Sequence, residues 1–364
     1  MTMPLTPSGY NMYDMLSMVQ KSIRRAKYEY AAFAANELQN VYRSALWNRL
    51  LVISCEDCFG ILTKEILSLK EKDEKKKDSR HISNAVALLC KAKKSRDACY
   101  FACNFVLTSR KPREIEVENS FVKAFKKIVN KEYDRYGFYQ LNLFDMFGLE
   151  EEEFTDDEKT GAALEIAIEH LDMDMIGYYI DILRRKDRKF LWDVLKGSAS
   201  KISDIFLEPE INALEKADII INARKKDLEK DEIFISKAVM LMCYYIDRNI
   251  EVMFADKIID SKFEIEWDRY SIKPIEECSV SAIPEWVYDC HTIKGRKMGK
   301  TDWDMTKDEQ AALYPLKKAY FDEASWLYTY EQDYAEGHLS EKLMSEIRKY
   351  AENHEANPVK FLSY

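Results

Sequence analysis

The segment 291–301 carries the side chains of this chain that are best suited to binding a phosphate group. It combines one histidine, two glycines and four long cations, namely His291, Lys294, Gly295, Arg296, Lys297, Gly299 and Lys300. Lysine and arginine donate charge-assisted hydrogen bonds to phosphate oxygens, and glycine lets the backbone approach an anion closely. We therefore expect a loop that binds phosphate or nucleic acid. The competing interpretation is a solvated surface loop whose charges pair with neighbouring acidic helices.

A nucleotide-binding loop is a more specific alternative for the same residues. The spacing Gly295-x3-Gly299-Lys300-Thr301 is one residue shorter than the motif G-x4-G-K-[ST]. The segment that precedes it, 286–292, is short and polar, whereas the nucleotide-binding motif follows a buried strand. His291 is the one histidine with chemically rich neighbours, and it would contact either a phosphate or the nearby Asp289.

The cysteines and the remaining histidines form no recognisable catalytic or metal-binding motif. Cys55-x-x-Cys58 has the spacing of a redox pair or half a zinc site, but redox use needs a strand-to-helix setting and structural zinc needs four ligands. No His-Glu-x-x-His spacing and no nucleophile elbow occur. Without a secretory signal, the eight cysteines are best interpreted as reduced, buried thiols. The sequence therefore predicts no catalytic residue, no metal site and no cofactor.

The length and composition predict an all-α protein, built either as two helical domains or as one elongated array of helix pairs. Only 10 glycines and 8 prolines interrupt 364 residues, and 47% of the residues are hydrophobic. The formal net charge of −9 repels nucleic acid at long range, so any DNA contact needs a local basic patch. No run of about 18 apolar residues occurs. We therefore expect no membrane contact and a cytoplasmic location.

Hydrophobic periodicity predicts the helices that position these residues. An apolar stripe predicts an amphipathic helix over 10–25, and Gly60 is expected as the left-handed C-cap of a helix over 41–59. Asp78 or Ser79 is expected to cap the next helix. Changes in composition predict an N-terminal helical domain (1–130), an aromatic and acidic linker (131–157), a second helical domain (158–270) and a basic-loop and helical tail (271–364).

The second half of the chain faintly repeats the first. Residues 82–90 (ISNAVALLC) and 235–243 (ISKAVMLMC) are identical at six of nine positions, and Trp47 and Trp192 lie upstream at similar distances. Such a match is equally compatible with a degenerate duplication and with chance among helix-forming segments. A true second copy would lack the segment from Cys55 to Gly60.

Three short motifs near the start of the chain carry a family resemblance. They contain Lys21, Ser22 and Arg24, then Arg49, Glu56, Asp57 and Gly60, then Lys94 and Ser95. In this order and spacing they resemble the C-terminal helical region of the replication-recombination AAA+ ATPases of the Mgs/Rar type, which are relatives of clamp-loader subunits. The resemblance covers about residues 10–107. Arg25 and Arg96 stand where that family has Gly and Asn.

The resemblance implies a helical collar that self-associates, in the context of DNA repair. It does not imply ATP hydrolysis, because the ATPase domain of that family would precede a segment that begins here at residue 10. Glu56 and Asp57 are about 100° apart on a helix, so they are expected to form an interhelical salt bridge to Arg49 or to residues 21–25 rather than an acid/base pair.

The resulting hypothesis is a non-enzymatic accessory or scaffold protein of DNA replication or repair. It would form a homo-oligomer and bind DNA through the basic loop, or bind an AAA+ ATPase or another replication protein. One alternative is a nucleotide- or phosphate-dependent enzyme that uses residues 291–300. The other is a protein–protein scaffold with no role on DNA.

Overall fold

The computed structural model describes residues 4–107, 155–226, 229–247, 272–314, 321 and 325–353. Within these ranges the chain forms 15 α-helices and no β-strand longer than an isolated bridge, which confirms the predicted all-α class. Each helix in these ranges is too short or too polar to traverse a lipid bilayer. The helices are α1 (Met12–Arg24), α2 (Tyr28–Gln39), α3 (Arg43–Glu56), α4 (Thr63–Lys75), α5 (Ser79–Lys91), α6 (Asp97–Phe101), α7 (Asp156–Glu169), α8 (Met173–Lys186), α9 (Arg188–Ser203), α10 (Leu207–Asn222), α11 (Ile233–Ile246), α12 (Ile293–Lys297), α13 (Asp302–Ala312), α14 (Ser325–Ala335) and α15 (Glu341–Asn353).

The chain divides into two compact units, each built from two separate stretches of sequence. The described residues of the first unit are 4–95 and 272–314, and those of the second are 96–107, 155–226, 229–247, 321 and 325–353. This division differs from the boundaries expected from composition. Residues 96–107 belong to the second unit, and the expected tail (271–364) is divided between the two units. Most of the expected linker, residues 131–154, lies outside the described residues.

In the first unit, α1–α5 pack as a bundle that we call the first bundle. Its core is formed by apolar side chains that recur at helical spacing, including Val19, Ile23, Leu38, Leu46, Leu50, Ile66, Val86 and Leu89. Asp78 caps α5 by accepting a hydrogen bond from the backbone N–H of Arg80, as the sequence predicts. The tail returns to α1, where the Ser17 hydroxyl donates to the carbonyl of Val287 at 2.7 Å.

The predicted role of Gly60 as the C-cap of α3 is wrong. The helix ends at Glu56, and Gly60 adopts its positive φ of 101° within the turn that follows. The chain leaves the helix early because the backbone of 57–59 pairs with residues 93–95. The N–H of Phe59 donates to the carbonyl of Lys93 at 2.8 Å, and the N–H of Ser95 donates to the carbonyl of Asp57 at 3.2 Å.

In the second unit, α7–α11 pack as a second bundle, and α6, α14 and α15 complete the unit. A π-helical turn, Ala102–Val106, continues α6. Aromatic rings fill the space beside it: Phe105 stacks on Phe101 at 5.6 Å and on Tyr328 at 6.2 Å between ring centroids. Asp97 fixes this region by accepting hydrogen bonds from the Tyr244 hydroxyl and from the backbone N–H of Phe321.

The first four helices of the second bundle repeat those of the first bundle at a constant offset of 145 residues. Among the described residues, Ala26 and Leu171 are the two non-glycine residues with positive φ, at 52° and 58°, and they lie 145 positions apart after equivalent helices. The next residues close equivalent turns: Lys27 N–H donates to the carbonyl of Ser22 at 2.9 Å, and Asp172 N–H donates to that of Ala167 at 3.0 Å. The bounds of α7–α10 follow those of α1–α4 at the same offset, to within a few residues.

Each bundle also contains the same polar contact, which we call the Arg–Trp–Asp clamp. It comprises Arg43, Trp47 and Asp73 in the first bundle and Arg188, Trp192 and Asp218 in the second, each again 145 residues later. In the first, Arg43 donates to both carboxylate oxygens of Asp73 at 2.6 and 2.7 Å, and the Trp47 indole N–H donates at 2.8 Å. The second clamp has the corresponding distances of 2.7, 2.8 and 2.8 Å. The chain therefore contains an internal repeat of five helices, whose last helices carry the two similar segments noted above.

Candidate functional site

The three motifs that carry the family resemblance meet at Asp57 in the first unit. Asp57 is fully buried, and its carboxylate accepts hydrogen bonds from Arg24 Nε at 2.5 Å and from Gln20 Nε2 at 2.7 Å. Its backbone carbonyl receives the N–H of Ser95. We call Gln20, Arg24, Asp57 and Ser95 the Asp57 cluster. The ion pair predicted between Asp57 and residues 21–25 is therefore present.

Further charged groups extend the cluster across α1, α3 and α13. The Arg24 guanidinium reaches Glu309 at 2.6 Å and Glu56 at 3.4 Å. Arg49 donates to the side-chain oxygen of Gln20 at 3.0 Å rather than to either acid. A buried guanidinium with several carboxylate partners has its donors satisfied, which is what allows this charge to lie in the interior.

Lys94, the third-motif lysine, is also directed inward. Its ammonium donates to the carbonyls of Leu89 at 2.8 Å and Cys90 at 3.1 Å, and to that of Ala92. These carbonyls belong to the C-terminal end of α5, where a cation is favoured by the helix dipole. Burial lowers the pKa of Lys94. Ser22 is buried on α1, and its hydroxyl has no hydrogen-bond partner among the described residues.

Lys21 connects α1 to the segment that precedes the basic loop. Its ammonium lies 2.7 Å from Asp289 Oδ2 and also donates to the carbonyl of Val287 at 3.3 Å. Asp289 in turn accepts the backbone N–H groups of His291 at 2.9 Å and Thr292 at 3.2 Å. Burial alone would raise the pKa of Asp289, but the hydrogen bond and charge of Lys21 outweigh it, and the net pKa is lowered.

The basic loop forms the short helix α12 rather than an open phosphate cradle. Thr292 caps this helix by accepting the N–H of Gly295 at 3.0 Å, so that amide is already used. Gly295 packs directly on the backbone of Asp289, and a Cβ atom there would lie 1.9 Å from the Asp289 carbonyl oxygen. Gly299, with φ of 75°, ends the helix. The geometry of a nucleotide-binding loop is therefore absent from 291–301.

The cations of the loop are partly paired and partly exposed. Lys300 forms an ion pair with Glu285 at 3.0 Å, as a solvated surface loop would. Lys294 lies 3.9 Å from the ring centroid of Tyr288, and Arg296 donates to the carbonyl of His291 at 3.2 Å. Lys294, Arg296 and Lys297 all remain exposed. The loop thus presents three cations on a turn whose backbone is fixed by Asp289.

The Cys55-x-x-Cys58 pair is part of the core of the first unit. Both are buried thiols that form no disulfide, and Cys55 Sγ lies 3.3 Å from the Thr63 hydroxyl oxygen. Cys58 Sγ contacts the carbonyl oxygen of Leu89 at 4.0 Å. These are the surroundings of structural thiols, as the sequence predicts.

A cluster that sequence reasoning missed lies beside the basic loop. The potential ligand atoms of Cys290, His291 and Asp302 all lie within 4.8 Å of one another, and Cys290 Sγ donates to Asp302 Oδ1 at 3.0 Å. The adjacent pair Cys290-His291 is the signal that sequence offered. The third member stands eleven residues after His291, a spacing that belongs to none of the metal motifs considered above.

No protein-family model, no curated protein and no solved structure matches this chain significantly.

Proposed function

We propose that this protein is a non-enzymatic, self-associating accessory or scaffold protein of DNA replication or repair. The observation that carries the proposal is the convergence of the three motifs in the Asp57 cluster. Arg24 and Ser95 are far from Asp57 in sequence and yet both contact it, as expected of residues that together define one fold. That convergence supports the resemblance to the C-terminal region of the Mgs/Rar-type AAA+ ATPases, from which the DNA context and self-association follow.

The burial of the motif charges favours a scaffold over an enzyme. Arg24 and Asp57 are withdrawn from solvent and satisfied by protein partners within the described part of the first unit. A general acid or base must reach its substrate within hydrogen-bond distance, and buried, ion-paired groups are poorly placed for this. The buried motif residues therefore stabilise the fold, and any ligand would have to bind groups at the surface.

The exposed cations of α12 are the groups that we propose for DNA contact. Lys294, Arg296 and Lys297 form a local basic surface on a protein whose net charge is −9. If the three cations neutralise about three phosphates of single-stranded DNA, the logarithm of affinity falls with the logarithm of salt concentration with a slope of about −2. A fourfold increase in salt should then weaken binding by about twentyfold.

The test is binding of fluorescent single-stranded and forked DNA at 50 and 200 mM salt, roughly the range over which such contacts weaken. The loop variant is K294Q/R296Q/K297Q, and the matched control is K189Q/K342Q/K349Q, which removes the same charge from exposed lysines of the second unit. We expect the loop variant to lose the salt-dependent binding and the control to keep it. Light scattering on the same samples should show an oligomer for all three proteins.

Three results would redirect the proposal. Equal binding by the loop variant and the wild type would reject α12 as the DNA site. Absence of binding by the wild type would favour a protein–protein scaffold with no role on DNA. A clear increase in melting temperature with ATP would favour the phosphate-dependent enzyme instead, because a ligand that binds only the native state stabilises it.

A further inference from the structure

We propose that Cys290, His291 and Asp302 bind a zinc ion at the surface of the first unit. The site joins the turn that precedes α12 to the first residue of α13. The three side chains supply a thiolate sulfur, an imidazole nitrogen and a carboxylate oxygen, which are the three ligand types that Zn²⁺ takes in proteins. The inference does not depend on the proposed function in DNA replication or repair.

The distances between the ligand atoms are close to those of a tetrahedral zinc site. Zinc lies about 2.3 Å from sulfur and about 2.0 Å from nitrogen or oxygen, so tetrahedral ligand atoms are separated by about 3.5 Å. Here the separation of Cys290 Sγ and Asp302 Oδ1 is 3.0 Å, and all the ligand atoms lie within 4.8 Å. His291 and Asp302 are exposed, so their side chains are free of the packing that would prevent rotation toward the tetrahedral separations.

The backbone that carries the ligands is already held in place on both sides. Asp289, itself paired with Lys21, fixes the backbone N–H of His291 through its carboxylate. On the other side, Thr301 and Asp304 form a capping box around the start of α13, which fixes the position of Asp302. Because the backbone is already fixed, binding of a metal costs less conformational entropy, and this preorganisation favours binding.

The charges of the proposed ligands suit a divalent cation. Zinc would displace the proton from Cys290 to solvent, and the thiolate and carboxylate would then balance the two positive charges with His291 neutral. The fourth ligand position is left for water or for the thioether of Met305, whose sulfur lies 3.8 Å from Cys290 Sγ.

The test is titration of the metal-free 364-residue protein with Co²⁺, a spectroscopic substitute for Zn²⁺, followed by competition with Zn²⁺. We expect a cobalt–thiolate absorption band that saturates at one equivalent and disappears when zinc is added. C290S should abolish the band, and H291A and D302N should each weaken binding at least tenfold. The matched controls are C103S and H338A, which alter an exposed cysteine and an exposed histidine elsewhere.

Zinc should also raise the melting temperature of the wild type and of both controls, but not that of C290S or H291A. Circular dichroism of each metal-free variant shows whether it folds like the wild type, so that loss of binding is not confused with loss of structure. The proposal is overturned if the folded wild type gives no thiolate band, or if C103S loses the band while C290S keeps it.

Discussion

Replacement of Asp73 by Asn tests whether the Arg–Trp–Asp clamp stabilises the first bundle. Asp73 accepts hydrogen bonds from Arg43 Nε and a terminal guanidinium nitrogen, from the indole of Trp47 and from the backbone N–H of Asp78. Asparagine has nearly the same shape, but it has no charge, and its NH₂ group would face one of these donors. The substitution therefore removes the partner of a largely buried cation without creating a cavity.

The exposure of the two side chains determines how much the free energy of unfolding should fall. The side chain of Asp73 is 2% exposed and that of Arg43 is 17% exposed. Removing one member of a buried ion pair costs about 3–5 kcal/mol. Water can reach part of Arg43, so we expect a loss of about 3 kcal/mol in the free energy of unfolding. Glu74→Gln is the control on the same helix, because that side chain is 60% exposed and its pair should contribute less than about 0.5 kcal/mol.

Hydrogen exchange measured by mass spectrometry, alongside urea unfolding, can assign the loss to one bundle. Asp73→Asn should accelerate amide exchange in α3 and α4, and Asp218→Asn, its counterpart in the internal repeat, should do so in α9 and α10. A decrease of less than about 1 kcal/mol in the free energy of unfolding of Asp73→Asn would refute the reasoning, because the ion pair would then contribute little to the packing of α3 against α4.

Two further predictions concern acid stability and the turn around α12. Burial would raise the pKa of Asp73, but hydrogen bonds from Arg43 and its other donors outweigh it, so Asp73, like Asp289, has a lowered folded-state pKa. Their stabilising contributions are complete above about pH 4 and are lost as the pH falls through the folded-state values, so Asp73→Asn should flatten the pH dependence of urea unfolding below pH 4. Gly295→Ala should strongly destabilise the first unit, because the added Cβ atom would lie 1.9 Å from the carbonyl oxygen of Asp289. Gly299→Ala places its Cβ atom in open space and should cost only about 1 kcal/mol, for the positive φ, in the same unfolding assay. Similar losses in the two variants would contradict this account.

Local patterns in the sequence were sufficient to predict the helices but not where they end. The apolar stripe of α1 and the cap at Asp78 depend on neighbours within a few residues, so the sequence alone predicts both correctly. The end of α3 depends on pairing with residues 93–95, which local periodicity does not reveal. For this reason the sequence pattern places Gly60 at the end of α3, whereas the helix ends at Glu56.

The predicted site residues divide in a similar way. An ion pair between α1 and Asp57 could be expected because charges in amphipathic helices need partners. The partners Glu309 of Arg24 and Asp289 of Lys21 could not, since each lies more than 260 residues away along the chain. The internal repeat is also difficult to recognise in the sequence. The arginine, tryptophan and aspartate of each clamp are separated by 4 and 26 residues, and only one short stretch of the two copies remains similar.

The pairing of Arg24 with Glu309 also has a consequence for how the chain is made. The two residues are 285 positions apart, and the whole second bundle is encoded between them. At about 5–20 residues per second, a ribosome would take roughly 15–60 s to add the intervening residues. During that interval the nascent first bundle has its buried arginine and lysine without their tail partners. Completion of the first unit therefore requires synthesis of the tail, long after the first bundle has been made.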